Sequence, residues 1–285
     1  MSRPVLRFAP SPNGPLHLGH ALSALLNDRT ARRLGGTWLL RMEDIDPVRS
    51  RPEHEAGVRA DLGWLGLRWP EPVRRQSEHL DAYRDAAARL RGGGLLYRCT
   101  CTRGEIAAAI RDRAGPGGEA WPRDPDGAPL YPGTCRRHGA DPGRPGAWRL
   151  DTEAALARLG RLVGWTRFRP DGDSVTAVPA DPSRWGDPVL VRKDVGTSYH
   201  LSVVTDDALQ GVTHVVRGAD LEAATDLHAL LGALLGLPAP LYHHHGLVLD
   251  RDGAKLSKSA GSRSLADLRA EGATPADVRA RLGFG

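Results

Sequence analysis

Along the chain, short apolar runs alternate with longer stretches whose apolar residues recur every three or four positions, and this rhythm predicts the elements. Residues 5–8 form a short apolar run that ends in a segment rich in turn residues, with Pro10, Pro12, Asn13, Gly14 and Pro15. Over 16–34 the spacing is helical until Gly35 and Gly36 stop it, which gives strand, loop and helix in that order. Residues 37–42 read as a second buried strand running into the acidic turn Glu43-Asp44-Ile45-Asp46, and helical spacing returns over 53–65 and 80–90. Strands alternating with helices predict an α/β protein built on a parallel sheet.

From about residue 99 to 187 glycine and proline clusters break this alternation, which predicts an inserted subdomain. The alternation resumes with a strand at 188–192, a helix at 201–209, a strand at 213–216, a helix at 221–235 and a strand at 247–249, rebuilding the second half of the sheet. The expected organisation is therefore 1–98 for the first half of the sheet domain, 99–187 for the insertion, 188–249 for the second half, and 250–285 for a loop and one or two short helices. No internal repeat is visible, and the 26 residues beyond Ser259 leave no room for a third domain.

Composition sharpens this picture in two places. The chain has 285 residues, 40% hydrophobic and 26% charged, and lacks any apolar run near the roughly 20 residues of a membrane span, so it reads as a cytoplasmic globular protein without a signal segment. Its net charge of +5 suits a polyanionic partner such as RNA, although the arginines are spread along the whole chain. Of 39 basic residues only Lys193, Lys255 and Lys258 are lysines, so lysine persists where a compact point charge is needed. The three cysteines, Cys99, Cys101 and Cys135, are odd in number and close in sequence, which favours metal ligation over a disulfide framework.

Two segments carry candidate chemistry. His17-Leu18-Gly19-His20 places two imidazoles three residues apart at the start of the helix that follows the first strand, where positions i and i+3 share a face. There the free N–H groups and the helix dipole favour a phosphate, and Gly19 lets a flat base approach the backbone. HxxH alone is common on protein surfaces. The second segment, Lys255-Leu256-Ser257-Lys258-Ser259, holds two of the three lysines in a loop containing glycine, a pattern suited to phosphate oxygens.

Together these segments resemble, in order and context, the two signatures of class I aminoacyl-tRNA synthetases, HIGH and KMSKS. The stretches around Arg7 to His20, around Arg41 to Pro47 and from Tyr199 to Leu221 look specifically like the glutamyl and glutaminyl branch, and the resemblance covers most of residues 3–260. It implies a Rossmann-type catalytic domain that binds ATP with Mg²⁺ beyond the carboxyl ends of its strands, at the switch point of the sheet. It implies that a glutamate carboxylate attacks the α-phosphorus of ATP to give glutamyl-AMP and pyrophosphate. His17, His20, Lys255 and Lys258 would be the catalytic groups, and His17, Gly19, His20 and Lys258 the ATP-binding ones.

Glutamate carries two carboxylates and one ammonium, so its pocket needs two cationic forks and one anion. The positions that match the family supply Arg7 and Arg217 for the carboxylates and Glu43 for the ammonium, with Ala9, Ser11 and Tyr199 completing the pocket. Which arginine meets which carboxylate stays open, and the bland alternative is an Arg7–Glu43 ion pair between adjacent strand ends. In the insertion, Cys99, Cys101 and Cys135 make most of a tetrahedral structural zinc site, one per chain. Base rates favour His138 as fourth ligand, whereas the resemblance to short glutamyl-synthetase-like proteins points to Tyr131.

Full-length members of the branch continue into a helical anticodon-binding region for which this sequence leaves no room. The resemblance is therefore to the short members, which attach glutamate to the queuosine base at the wobble position of tRNA(Asp). It implies ATP, L-glutamate and queuosine-containing tRNA(Asp) as partners, and a monomer. Three other readings remain: a truncated enzyme charging the 3′ end of tRNA(Glu), an RNA-free ligase acting on a small molecule, and a non-catalytic RNA-binding module.

Overall fold

The computed structural model describes residues 3–114, 120–249 and 263–284. Its first elements are β1 (Val5–Phe8), α1 (Leu18–Arg33), β2 (Thr37–Met42), α2 (Pro52–Trp64), β3 (Arg74–Arg75) and α3 (Leu80–Gly92). There follow β4 (Leu96–Cys99), α4 (Arg103–Ala114), α5 (Thr134–His138), β5 (Ala147–Leu150) and α6 (Thr152–Leu159). The chain continues with β6 (Gly164–Phe168), β7 (Val175–Pro179), β8 (Val189–Val191), α7 (Tyr199–Leu209), β9 (His214–Gly218) and α8 (Ala224–Leu235). It closes with β10 (Leu241–His245), α9 (Leu265–Ala270) and α10 (Pro275–Arg281).

β1 and β2 pair in parallel with Leu6 opposite Trp38 and Phe8 opposite Leu40, and β3 extends this sheet beside β2. A second sheet runs β7-β6-β10-β9, parallel from β6 to β9, with β7 antiparallel at its edge. The two sheets meet at β1 and β9. The Thr213 amide donates to the Val5 carbonyl at 2.8 Å, and the Val5 amide donates to the Thr213 hydroxyl at 2.9 Å. From β1 the chain builds outward to β2 on one side, while β9 and β10 build outward on the other. This is the strand-order reversal at which α/β sheets open a ligand crevice.

Apolar packing fixes those strands. On one side Leu25 of α1, Leu62 of α2, Leu265 and Leu268 of α9 and Val278 of α10 bury against Leu6, Leu40 and Met42. A separate cluster gathers Leu90 of α3, Leu201 of α7 and Leu227, Leu230 and Leu231 of α8 around Leu150 of β5 and Leu190 of β8. Each such side chain contributes about 1.5–3 kcal/mol by leaving water. The two short C-terminal helices expected from the sequence thus form part of the main core.

Two strand assignments differ from the sequence expectation. The run at 188–192 is a strand, but β8 pairs antiparallel with β5, which itself pairs antiparallel with β4, so it completes a small three-stranded sheet. The main sheet instead takes β6 from inside the 99–187 stretch. The last parallel strand is Leu241–His245 rather than 247–249. His243, His244 and His245 disguise it as polar, yet two of their rings pack edge-on against aromatic neighbours: His243 meets Phe168 and His244 meets Trp165. No helix among the described residues is long and apolar enough to cross a membrane.

Candidate active site

A cleft of about 500 Å³ opens where the carboxyl ends of β1 and β9 meet the start of α1. Arg7, Ala9, Ser11, His17, Gly19, His20, Glu43, Tyr199 and Arg217 all line it, so the structure gathers the residues expected for ATP and for glutamate into one place. Lys255 and Lys258 lie outside the described residues. The chain on either side of that segment borders the cleft: Leu247 and Val248 line it, and the Leu265 amide donates to the Leu16 carbonyl beside a backbone bridge between Ser264 and His17. A smaller cavity of about 130 Å³ adjoins it, sharing Ser11, Asn13, Glu43 and Tyr199 and adding Asp46, Arg49, Gln76 and Arg192.

The two histidines use the helix start differently from the sequence expectation. His17 is the N-cap of α1; its Nδ1 accepts from the Gly19 amide at 3.1 Å, while His20 Nδ1 accepts from the His17 amide at 3.2 Å. The rings therefore satisfy two of the N–H groups that a bare helix terminus would offer to a phosphate. Because each Nδ1 is an acceptor, each neutral imidazole carries its proton on Nε2. The ring centroids are 3.9 Å apart. Gly19 has a second reason to lack a side chain, since a Cβ there would stand 3.0 Å from His17 Cε1.

Charge is laid out beneath the cleft in a buried network. Arg7 and Glu43 do not pair with each other. Arg7 Nε donates to Asp207 Oδ1 at 3.1 Å, Arg41 Nη1 donates to the same oxygen at 2.8 Å, and Arg41 Nη2 donates to Glu43 Oε1 at 3.1 Å. Below them Asp206 accepts from Arg74 Nε, Gln76 Nε2 and the Tyr83 hydroxyl at 2.8, 2.9 and 2.8 Å. Burial pushes the Asp207 carboxyl up, but Arg7 and Arg41 outweigh it and hold the group below the usual carboxylate range. At Glu43 the balance reverses: burial raises the carboxyl further than Arg41 and Arg7 lower it. Three arginines and three acids (Arg7, Arg41, Arg74; Glu43, Asp206, Asp207) leave this group electrically balanced.

Arg217, at the end of β9, stands outside that balance. It is buried to 4% exposure, and its partners are neutral: Thr225 Oγ1 at 2.8 Å from Nη2, His228 Nδ1 at 3.2 Å and the Tyr199 hydroxyl at 3.4 Å from Nη1, and His244 Nε2 at 3.4 Å from Nε. Burial, and then Arg217 itself, drives His228 well below its ordinary value and His200 and His244 down to about 4 and about 3, so these imidazoles stay neutral. Among the described residues Arg217 meets no carboxylate. A buried guanidinium so placed calls for an anion from outside the protein.

In the small sheet region the Sγ atoms of Cys99, Cys101 and Cys135 lie within 4.8 Å of one another. The Tyr131 hydroxyl joins them, 3.4 Å from Cys101 Sγ, and it accepts the Cys135 amide at 2.8 Å. His138 is exposed and lies outside this cluster. Although burial pushes it up, hydrogen bonds from the Tyr131 hydroxyl and the Thr100 backbone bring the Cys135 thiol down to about 7, while burial raises Cys101 to about 11. Thiolates about 2.3 Å from a zinc ion stand roughly 3.8 Å apart at tetrahedral angles, and the three Sγ atoms, none more than 4.8 Å from another, are close to that spacing.

The acids Asp206 and Asp207 and the cations Arg41 and Arg74 were not singled out in the sequence. Two adjacent aspartates inside a helix that carries no other acid and no lysine or arginine were the available signal, because an acid pair on a buried face needs cations to meet it.

The chain matches the family described as tRNA synthetases class I (E and Q), catalytic domain, over residues 5–149 and 171–283. The Glutamyl-Q tRNA(Asp) synthetase of Rhodobacter capsulatus is 49% identical over 292 residues, which take in 98% of this chain and 100% of the relative. The protein of the same name from Symbiobacterium thermophilum is 42% identical over 98% of this chain and 85% of its own length. Among solved structures, a glutamate tRNA ligase from Elizabethkingia meningosepticum, in complex with its amino acid, superposes with a TM-score of 0.74 at 26% identity. That match covers 96% of this chain and 59% of the ligase, so the chain spans little more than half of the ligase's length. With the family matched over most of its residues and relatives of this identity along its whole length, the chain belongs to the class I tRNA synthetase (E and Q) catalytic-domain family.

Proposed function

We propose that the cleft joins glutamate to AMP at the expense of ATP and then passes the glutamyl group to the queuosine base at the wobble position of tRNA(Asp). The observation that carries the first half is Arg217, a buried cation held, among the described residues, only by neutral groups, in the same cleft as Arg7, Glu43 and the His17–His20 pair. A molecule with two carboxylates and one ammonium answers that arrangement: Arg217 and Arg7 take the carboxylates and Glu43 takes the ammonium, with Tyr199 and Ser11 beside them.

In the activation step a carboxylate oxygen attacks the α-phosphorus, the bond to the β-phosphate oxygen breaks, and pyrophosphate leaves with the electron pair. No proton moves, so catalysis is positioning and charge stabilisation. His17 and His20 support the triphosphate, and Lys255 and Lys258, which lie outside the described residues, retain the phosphate role implied by their motif. Mg²⁺, when bound with ATP, supplies counter-charge to the phosphates. Cys99, Cys101 and Cys135, with Tyr131 as fourth donor, would hold a zinc ion whose role is to pin the small sheet; the clustering of the three thiols with the Tyr131 hydroxyl supports this set, and the exposed His138 lies outside the cluster.

The acceptor half of the reading is supported by the two relatives named Glutamyl-Q tRNA(Asp) synthetase, which align along nearly all of this chain. The likeness to a glutamate tRNA ligase supports the other acceptor, the 3′ end of tRNA(Glu). Labelled glutamate and ATP supplied with total tRNA from cells that make queuosine, and in parallel from cells that cannot, separates them. Label in the first preparation alone is the expected result. Equal label in both points to 3′-end charging, and no label in either rejects both acceptors.

A further inference from the structure

The mechanism above uses Arg217 but not the groups behind it, which form a hydrogen-bonded chain with its direction fixed. Arg217 carries only donors, so Nη1 donates to His228 Nδ1 at 3.2 Å. A neutral His228 then bears its proton on Nε2, which faces His200 Nδ1 at 3.2 Å and donates to it. Thr225 Oγ1 accepts from Arg217 Nη2 at 2.8 Å and turns its own proton to His244 Nε2 at 2.9 Å. Each ring is therefore confined to one tautomer, and α8, which carries Thr225 and His228, presents acceptors without negative charge to the guanidinium. Arg7 is treated differently, since Asp207 already neutralises it.

That contrast matches the chemistry of the two substrate carboxylates. The reacting carboxylate loses its charge on becoming an acyl phosphate, and a guanidinium already shared with an aspartate suits it. The side-chain carboxylate stays ionised throughout, and it differs from the uncharged amide of glutamine in its charge and in offering an acceptor oxygen where the amide offers N–H donors. We infer that His228, oriented by His200, and Thr225, oriented by His244, are positioning residues that keep Arg217 uncompensated, and that this is what makes the pocket select a dicarboxylate over its amide. The inference rests on the activation reading given above.

Glutamate-dependent exchange of pyrophosphate into ATP, with no tRNA present, tests it on the full-length protein. His228→Leu removes the acceptor and lets Arg217 move; the KM for glutamate should rise about 10–100-fold, as expected for loss of hydrogen bonds to a charged group, while kcat and the KM for ATP change less than about threefold. His228→Asn offers an oxygen near the Nδ1 position and should recover most of the glutamate KM. His228→Asp places a carboxylate beside Arg217 and should lower the preference for glutamate over glutamine, read as the ratio of kcat/KM values, by about tenfold or more.

An unchanged glutamate KM and an unchanged preference in variants that melt like the wild type would overturn the inference while leaving the activation reading intact. Equal damage by His228→Leu and His228→Asn, or a loss shared by the ATP KM, would make His228 merely structural and overturn it as well. A wild-type protein without glutamate-dependent exchange would overturn the activation reading together with the inference.

Discussion

Arg41 Nη1 and Asp207 Oδ1 stand 2.8 Å apart beneath the cleft, with Arg41 wholly out of water, and the same oxygen accepts Arg7 Nε from the other side. Asp207 thus holds one cleft-lining arginine and one purely internal one. Asp207→Asn should leave Arg41 short of counter-charge, destabilise the fold by about 3–5 kcal/mol at neutral pH and loosen Arg7, raising the glutamate KM. The folded-state pKa of Asp207 is depressed, so its contribution is present above the unfolded carboxylate value and is lost as pH falls through the folded one. Urea unfolding of wild type and variant at pH 7 and near pH 3 checks this. The gap between them should narrow in acid, and a constant gap would place the effect elsewhere.

Glu43 is the opposite case, and its consequence is for binding. Burial lifts its carboxyl above the usual range, so it takes up a proton at a higher pH than an ordinary glutamate side chain. Only the ionised form attracts an ammonium. The glutamate KM should therefore climb as pH falls toward the acid side, before the substrate's own carboxylates titrate. Glu43→Gln should show a KM raised about 10–100-fold at neutral pH and no such acid limb. A limb of equal size in Glu43→Gln would assign the titration to another group.

The cleft was legible because its parts are local. Residues 5–20 read as strand, turn and helix on apolar spacing alone, and the residues that match the family within that segment fall on one wall. What escaped notice was cooperative. Arg41, Arg74, Asp206 and Asp207 each look like surface residues in sequence and leave the surface only because segments 132 positions or more apart in the chain bring α7 against β2 and β3. β10 was displaced by a few residues for the same reason: His243 and His244 are apolar in effect only once Phe168 and Trp165 cover them. β8 shows that a correctly located strand still leaves its partner open, since a three-residue apolar run cannot say which sheet it joins.

The cysteine cluster predicts a stoichiometry. Protein prepared with zinc should carry about one ion per chain, and removing it with a strong chelator should lower the melting temperature by loosening the region that joins β4 to α5. Cys135→Ser should abolish retention. Tyr131→Phe should weaken it and His138→Ala should leave it unchanged, as measured by metal content after dialysis. The reverse order for these last two would move the fourth ligand to His138.

Asp61 supplies a prediction independent of the cleft. It sits on α2 at 2% exposure with Arg269 of α9 at 3.6 Å, too far to repay its loss of water, and burial pushes its carboxyl up to about 6 against the pull of Arg269. A raised carboxylate pKa means that the folded state holds the proton longer than the unfolded one. Stability falls as pH rises from the unfolded carboxylate value to about 6, and the full cost is present above that. Asp61→Asn keeps the shape and removes the titration. It should stabilise the protein by about 1–3 kcal/mol at pH 8 and by little near pH 4, a difference that thermal melts at the two pH values resolve. Because Asp61 lies beneath α9, stabilisation there should leave the glutamate KM untouched. A shift in KM would show that the packing of α9 against α2 feeds into the cleft through the Leu265–Leu16 backbone contact, which stands next to His17.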